Sequence, residues 1–173
     1  MNSDLSLKLS ELPADISARI SAVYEKTGFI PNVFVRLATR PDEFRAFFSY
    51  HDALMEKESG LSKSDREMIV VATSAQNNCL YCVIAHGAVL RIRSKNKLLA
   101  DQVAINYQGA DLTPKQRAML DFASKVSKNS HLVSQADSEL LKEVGFSEDD
   151  IWDIVAITAF FGMSNRLANA LAI

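Results

Sequence analysis

The chain has two cysteines, and both lie in a single Cys-x-x-Cys motif formed by Cys79 and Cys82, with His86 four residues further on. On a helix with 3.6 residues per turn, these three side chains fall on one narrow stripe. Cysteines at positions i and i+3 of a helix have Cα atoms about 5–6 Å apart, which allows a disulfide. A helix N-terminus favours a thiolate, and a histidine one turn away can exchange a proton near neutral pH. The motif therefore indicates dithiol redox chemistry.

An acidic residue, Glu67, lies twelve positions before Cys79, where the sequence otherwise becomes apolar. A carboxylate that enters a buried helix usually has a partner. Glu67 could form a structural ion pair or act as a solvated first-turn acid that favours the helix dipole. Beside a histidine and two thiols, it could instead orient His86 or relay a proton for it. The sequence leaves both interpretations open.

Other known uses of a cysteine pair fit this motif less well. Haem attachment needs a histidine directly after the second cysteine, and Val83 stands there. A thioredoxin motif needs a preceding strand in a βαβ pattern, which the sequence does not predict. Zinc could be held by the two cysteines, the nearby histidine and Glu67, although structural zinc usually takes four Cys or His ligands, and His51 and His131 belong to other helices. Zinc and two unrelated core cysteines remain alternatives to a redox dithiol.

The composition is that of an ordinary globular protein of one domain. The 173 residues carry a net charge of −2, with 48% hydrophobic and 23% charged residues. The densest basic run, "RIRSKNK" from Arg91 to Lys97, is typical of a solvated helix end rather than a nucleic-acid surface. We therefore expect a single domain over residues 1–173 and no nucleic-acid partner.

The apolar segments and the cysteine content favour a cytoplasmic location. No apolar run approaches the roughly 20 residues that cross a bilayer. The start of the chain, "MNSDLSLKLSELPADIS", contains Asp4 and lacks an apolar core, so it does not predict a secretory signal. Two cysteines this close do not make the disulfide framework of a secreted fold. We expect no membrane partner.

Helix signals run along almost the whole chain and predict an all-α fold, since no alternating run lies between hairpin turns. Four residues are predicted to begin helices: Ser62, Thr113, Ser134 and Ser147. Ser62, Thr113 and Ser147 each have a capping partner three residues further on. The predicted helices cover residues 13–28, a short one within 29–40, 41–60, 64–76, 79–91, 95–107, 114–128, 134–145 and 148–171.

Two of these helices must position the candidate residues. The helix over 64–76 is apolar nearly all round, so we expect it to be central. Asn77 and Asn78 are predicted to break it and to cap the helix that follows, which would begin at about Cys79.

The motif resembles that of the alkyl hydroperoxidase D-like proteins of the carboxymuconolactone decarboxylase superfamily. The matching residues lie within "EMIVVATSAQNNCLYCVIAHG". Glu67 is followed after eleven residues by the Cys79-x-x-Cys82 motif, and three further residues separate that motif from His86. The segments "GFIPNVFVRLATRPDEF" and "ITAFFGMSNRLANAL" are similar to the peroxidase-related branch of that family. The resemblance covers the chain from about Tyr24 onward. It implies a single-domain helical bundle that assembles into homo-oligomers, often trimers or hexamers.

The resemblance also implies a thiol-dependent peroxidase of the peroxiredoxin type with an antioxidant role. Cys82 would attack a hydroperoxide and become a sulfenic acid. Cys79, nearer the helix start and more exposed, would resolve it as a Cys79–Cys82 disulfide, which a thiol protein or a lipoyl or thioredoxin-like donor would reduce. His86 and Glu67 would relay protons, with no other cofactor and no metal. Tyr81 stands where the best-studied members carry a relay histidine, and a phenol is a poor base at neutral pH.

Two further functions remain open at this level. In a carboxymuconolactone decarboxylase-like lyase, His86 and Glu67 would act on a small organic acid and the cysteines would be incidental. In a non-catalytic module, the same residues would bind a metal or sense redox state. Phe160 and Phe161 could wall a pocket or belong to the core.

Overall fold

The structure is a computed structural model that describes residues 8–173, so the interpretation of the segment around Asp4 lies outside the described residues. Within residues 8–173 the regular structure is helical, without a strand, and the all-α prediction is confirmed. The helices are α1 (Ala14–Thr27), α2 (Asn32–Ala38), α3 (Pro41–Met55), α4 (Lys63–Gln76), α5 (Leu80–Ser94), α6 (Leu99–Asn106), α7 (Pro114–Asn129), α8 (Gln135–Glu143) and α9 (Glu148–Ala170). No helix among these residues is both long and apolar enough to cross a membrane.

The predicted capping boxes are present at the starts of α4, α7 and α9. Ser62, Thr113 and Ser147 each accept a hydrogen bond from the backbone N–H three residues on, and the side chain there accepts one from the cap N–H. These reciprocal bonds satisfy donors that a helix start leaves without intrahelical partners. The local signals therefore define these helix starts correctly.

Helix α3 ends at Met55 rather than continuing to Gly60 as the sequence predicted. The carbonyl of Leu54, in its last turn, accepts a hydrogen bond from the buried guanidinium of Arg66. Gly60 has a different use, because a Cβ atom built there would overlap the carboxylate of Asp150. The glycine thus permits close packing and does not end the helix.

The boundary between α5 and α6 also differs from the prediction. Helix α5 continues past Arg91 to Ser94, and α6 begins at Leu99 instead of Lys95. Lys95 adopts the left-handed conformation at the end of α5, with a φ of 56°. The Ser94 side chain then accepts a hydrogen bond from the Asn96 N–H. This turn separates the two helices.

The described residues fall into two compact units, one extending to Asp52 and including Ile173, the other spanning Ala53–Ala172. The first unit has an aromatic core in which the Phe34 and Phe48 rings stack with centroids 4.2 Å apart and Phe44 lies 4.6 Å from Phe48. A single domain over residues 1–173 stays a prediction.

The second unit is built around α4. Nine consecutive residues of that helix, Arg66 to Ser74, are buried, and helices α5, α6, α7 and α9 contact it. The prediction that this helix is central is confirmed. Because α4 is enclosed, the polar side chains on it must find partners inside the unit.

Candidate active site

A tight turn between α4 and α5 holds the first cysteine. Asn77 ends α4, Asn78 is left-handed with a φ of 53°, and Cys79 is the extended residue directly before α5. The Cys79 N–H donates to the Ser74 carbonyl at 2.9 Å. The predicted break at Asn77 and Asn78 is confirmed. The predicted cap is wrong, because Cys79 occupies the cap position of α5 and makes no side-chain capping bond.

Both thiols are buried. Cys79 has 0% of its surface exposed and Cys82 has 3%, so the expectation that Cys79 is the more accessible cysteine is wrong. The bond from the Cys79 N–H to Ser74 ties that residue back against α4. Leu80, the next residue, takes the outward position and is 72% exposed.

Cys82 lies in the first turn of α5, three residues after Cys79. Burial raises the pKa of the Cys82 thiol to about 12, and the hydrogen bond and charge of Cys79 raise it further, against opposing hydrogen bonds from Asn165 and Ser164. Desolvation disfavours the charged form, and here it outweighs the preference of a helix start for a thiolate. Cys82 at rest is therefore a protonated thiol that needs a base to react.

Glu67 and His86 form a hydrogen-bonded pair across α4 and α5. The distance from His86 Nδ1 to Glu67 Oε2 is 2.8 Å, and Glu67 is 3% exposed. The His86 ring also contacts Phe161 edge-on, with centroids 4.8 Å apart. Since the carboxylate engages Nδ1, Nε2 is the nitrogen that can exchange a proton. His86 shares α5 with Cys82, one turn further along.

Arg93 is a charged neighbour of this pair that the sequence interpretation missed. Its Nε lies 3.8 Å from the second oxygen of Glu67, and its Nη2 donates to Glu56 at 2.8 Å. Arg93 belongs to "RIRSKNK", a pattern that predicts a solvated helix end. Arg93 thus places a cation beside the carboxylate that pairs with His86.

A buried amide, Asn165 of α9, was also missed. Its Nδ2 donates to Ser74 Oγ and its Oδ1 accepts from Asn77 Nδ2, both at 2.9 Å. The available signal was the polar pair Ser164–Asn165 inside an apolar helix, because buried polar side chains require partners.

The remaining predicted residues have different surroundings. Tyr81 is half-buried in the first turn of α5, directly before Cys82. Phe161 walls the site through its contact with His86, and Phe160 packs against Phe161 with centroids 5.2 Å apart. In the described part of the chain, no three His, Cys, Asp or Glu side chains are grouped to hold a metal ion.

A family model described as the carboxymuconolactone decarboxylase family matches residues 41–97, which contain Glu67, both cysteines and His86. The chain is 66% identical to an alkylhydroperoxidase AhpD-core, peroxidase-related protein from Ralstonia eutropha JMP134. That structure has a TM-score of 0.92, and the match covers 94% of this chain and 86% of that one. This chain belongs to the AhpD-like proteins of the carboxymuconolactone decarboxylase family.

A second AhpD-like relative, a peroxidase-related protein from Silicibacter sp. TM1040, is 41% identical, with a TM-score of 0.91. The match covers 97% of this chain and 88% of that one. The apo structure of the debrominase Bmp8, which is 22% identical to this chain, has a TM-score of 0.80, and the match covers 99% of this chain and 91% of that one. At this level of identity the similarity shows a shared fold alone. No curated protein matches the chain.

Proposed function

We propose that this AhpD-like protein is a thiol-dependent peroxidase with an antioxidant role, acting through Cys79 and Cys82. The observation that carries the proposal is that two buried thiols, three residues apart at the start of α5, lie on the same short segment as a histidine paired with a buried carboxylate. Membership of the family and the peroxidase-related names of two relatives support it.

In the proposed cycle, His86 takes the proton of Cys82 through Nε2, directly or through a water molecule, while Glu67 stabilises the imidazolium. The Cys82 thiolate attacks the terminal oxygen of the hydroperoxide. The S–O bond forms, the O–O bond breaks, and the alkoxide leaving group takes a proton and departs as an alcohol. The sulfur is thereby oxidised to a sulfenic acid.

Resolution uses the neighbouring thiol. Cys79 attacks the Cys82 sulfenic acid, the S–S bond forms, and the oxygen leaves as water. An external dithiol, either a thiol protein or a lipoyl or thioredoxin-like donor, then reduces the disulfide by thiol–disulfide exchange. Because both cysteines are buried, this exchange requires a local opening at the turn that contains Cys79. A cytoplasmic location would keep the centre reduced between cycles.

We also propose a homo-oligomer, a trimer or hexamer. Leu80, Ile84 and Ile92 lie four or eight residues apart on α5 and are 72%, 61% and 76% exposed. Apolar residues at helical spacing on a surface are typical of an interface. Light scattering of the purified protein tests this proposal, and a monomer would contradict it.

The decisive experiment treats the reduced protein with less than one equivalent of a hydroperoxide and measures thiols and intact mass. The parent should lose both thiols and two hydrogens per peroxide consumed. The Cys79→Ser variant should stop at a sulfenic acid that a dimedone probe traps, and Cys82→Ser should not react. Persistence of both thiols in the parent, or an unchanged rate in Cys82→Ser, contradicts the proposal.

A lyase remains the second candidate, because the Glu67–His86 pair could act on a small organic acid without the thiols. A Cys79→Ser/Cys82→Ser double variant separates the two functions. Retained turnover of a lactone acid together with lost peroxide consumption would identify the lyase. Loss of peroxide consumption without lactone turnover is the result we expect.

A further inference from the structure

Arg93, in the last turn of α5, lies between two carboxylates. It follows His86 by seven positions, which is two turns along the same helix face. Its Nε lies 3.8 Å from Glu67 Oε1, and its Nη2 donates to Glu56 Oε1 at 2.8 Å. Glu67 thus meets Arg93 with one oxygen and the His86 ring with the other, whose distance to Nδ1 is 2.8 Å.

The two carboxylates differ in their surroundings. Glu56 is 48% exposed, and its second oxygen accepts a hydrogen bond from Lys63 Nζ at 2.7 Å. Lys63 therefore supplies a cation to Glu56 at the surface. Glu67 is only 4% exposed, and a buried carboxylate requires a counter-charge. That charge can come from Arg93, whose guanidinium is always protonated, or from His86 if its ring takes up a proton.

The source of the counter-charge matters for the chemistry of the pair. A ring that has already taken a proton to balance Glu67 has no lone pair left to accept one from Cys82. If Arg93 balances Glu67 instead, the ring can stay neutral, with its Nδ1–H donated to the carboxylate and its Nε2 open.

We propose that Arg93 is a positioning residue that provides the counter-charge of Glu67 and thereby leaves His86 uncharged and able to act as a base. This inference rests on the proposed peroxidase function, in which His86 takes the proton of Cys82. Arg93 acts through Glu67, which stands between the guanidinium and the ring. It adds to the site a residue that lies outside the Cys-x-x-Cys motif.

Other charged side chains on the helices that pack against α5 bond elsewhere. Asp101 of α6 accepts a hydrogen bond from Arg91 Nη2 at 2.6 Å. Asp153 of α9 pairs with Arg66 of α4. The contact that α9 makes with the proposed base is the uncharged ring of Phe161. These pairings leave the charge of Arg93 directed at Glu67.

The experiment records the ring nitrogens of His86 by NMR in the reduced protein, labelled with isotope-enriched histidine. The His86→Gln variant identifies the signal by its loss. In the parent, a neutral ring with its hydrogen on Nδ1 should predominate at about pH 7. Arg93→Met removes the charge and preserves a long flexible chain. It should give a ring protonated on both nitrogens at that pH, with the midpoint about one pH unit higher than in the parent.

The rate of peroxide-dependent thiol loss should change with the charge of the ring. At about pH 7 we expect Arg93→Met to react about tenfold more slowly than the parent, because a shift of one pH unit changes the neutral fraction by that factor. The rate should approach the parental value in alkali, where both rings are neutral. Damage to the structure alone would lower the rate at every pH.

Two further variants separate the charge of Arg93 from its bulk. Arg93→Lys retains a cation without the planar guanidinium, so it should restore the neutral ring at least in part. Arg91→Met is the matched control, since it removes an arginine of the same helix that pairs with Asp101. Its midpoint and rate should equal those of the parent. If Arg93→Met does not fold, Arg93→Gln provides the same comparison.

The NMR measurement involves no peroxide, so the outcomes distinguish this inference from the proposed function. A neutral ring in Arg93→Met at about pH 7, a ring already doubly protonated in the parent, or an equal shift in Arg91→Met would each overturn the inference. A parent that does not consume peroxide, together with a ring that gains a proton in Arg93→Met, would overturn the peroxidase and retain Arg93 as the counter-ion.

Discussion

Glu67 Oε2 lies 2.8 Å from His86 Nδ1, although the two residues are 19 positions apart and belong to successive helices. The carboxylate fixes the orientation of the ring and its tautomer. This contact supports the orienting alternative for Glu67 over that of a solvated first-turn acid, because the side chain is only 4% exposed.

We expect Glu67→Gln and His86→Gln to slow the peroxide-dependent loss of thiols by about a hundredfold or more, the usual contribution of acid–base catalysis. Glutamine preserves the size of Glu67 and removes its charge. Stopped-flow mixing with a hydroperoxide gives the rate. His131→Gln is the matched control, because His131 is exposed in a short turn outside the site, and its rate should equal the parent's. Parental rates in both site variants would exclude the relay.

Replacement of Tyr81 tests the residue directly before the second cysteine. A histidine there can accept a proton near neutral pH, whereas a phenol cannot, so Tyr81→His should increase the peroxide rate severalfold. Tyr81→Phe, which preserves the ring, should stay near the parental rate if the hydroxyl takes no part in proton transfer. A Tyr81→His rate equal to the parent's would show that this position lies outside the relay.

The raised pKa of Cys82 makes the stability of the reduced protein depend on pH. The unfolded thiol ionises near pH 8.5, whereas the folded thiol stays protonated up to about pH 12. Above the unfolded pKa the unfolded state binds fewer protons, so alkali favours unfolding. The contribution is complete below about pH 8.5 and declines between that value and the folded pKa, by at most about 1.4 kcal/mol per pH unit.

Urea unfolding at a series of alkaline pH values measures this slope. The parent should lose stability more steeply than Cys82→Ser, which lacks the ionising group. The difference between the two slopes isolates Cys82 from other groups that titrate in the same range. Identical slopes would show that Cys82 ionises as readily in the folded protein as in the unfolded chain.

Removing a buried partner of Arg66 should destabilise the fold strongly. Arg66 is 0% exposed, and its Nη2 donates to Asp153 Oδ2 at 3.0 Å. Asp153→Ala leaves the guanidinium buried without its counter-ion, which should cost about 3–5 kcal/mol of unfolding free energy. Asp149→Ala is the control, because Asp149 is exposed in the first turn of the same helix and should cost under about 1 kcal/mol. Equal losses would contradict the buried pair.

Gly60→Ala should lower the melting temperature because the added methyl group meets the Asp150 carboxylate. Asp150 also accepts hydrogen bonds from the N–H and hydroxyl of Ser147, so it cannot move without weakening the start of α9. Overpacking of this kind costs about 1–3 kcal/mol. Gly109→Ala is the matched control, since the nearest atom to its added methyl lies 3.5 Å away. Equal melting temperatures for the two variants would contradict the overlap.

The sequence by itself determined the features that depend on residues a few positions apart. The spacing of Cys82 and His86 places them on one face of α5, and the capping boxes at Ser62, Thr113 and Ser147 define helix starts. Each of these rests on backbone hydrogen bonds that close within one turn, so neighbouring residues contain the information. The resemblance to the family lies in the same local spacing.

Only the tertiary structure decided which distant polar groups meet inside the protein. The contact between Asn165 and Asn77 joins positions 88 apart, and that between Arg66 and Asp153 joins positions 87 apart. Cys79 is buried directly after the left-handed residue Asn78. The ionisation of a thiol depends on its desolvation and on the donors that reach it, and both are properties of packing between helices rather than of spacing along the chain.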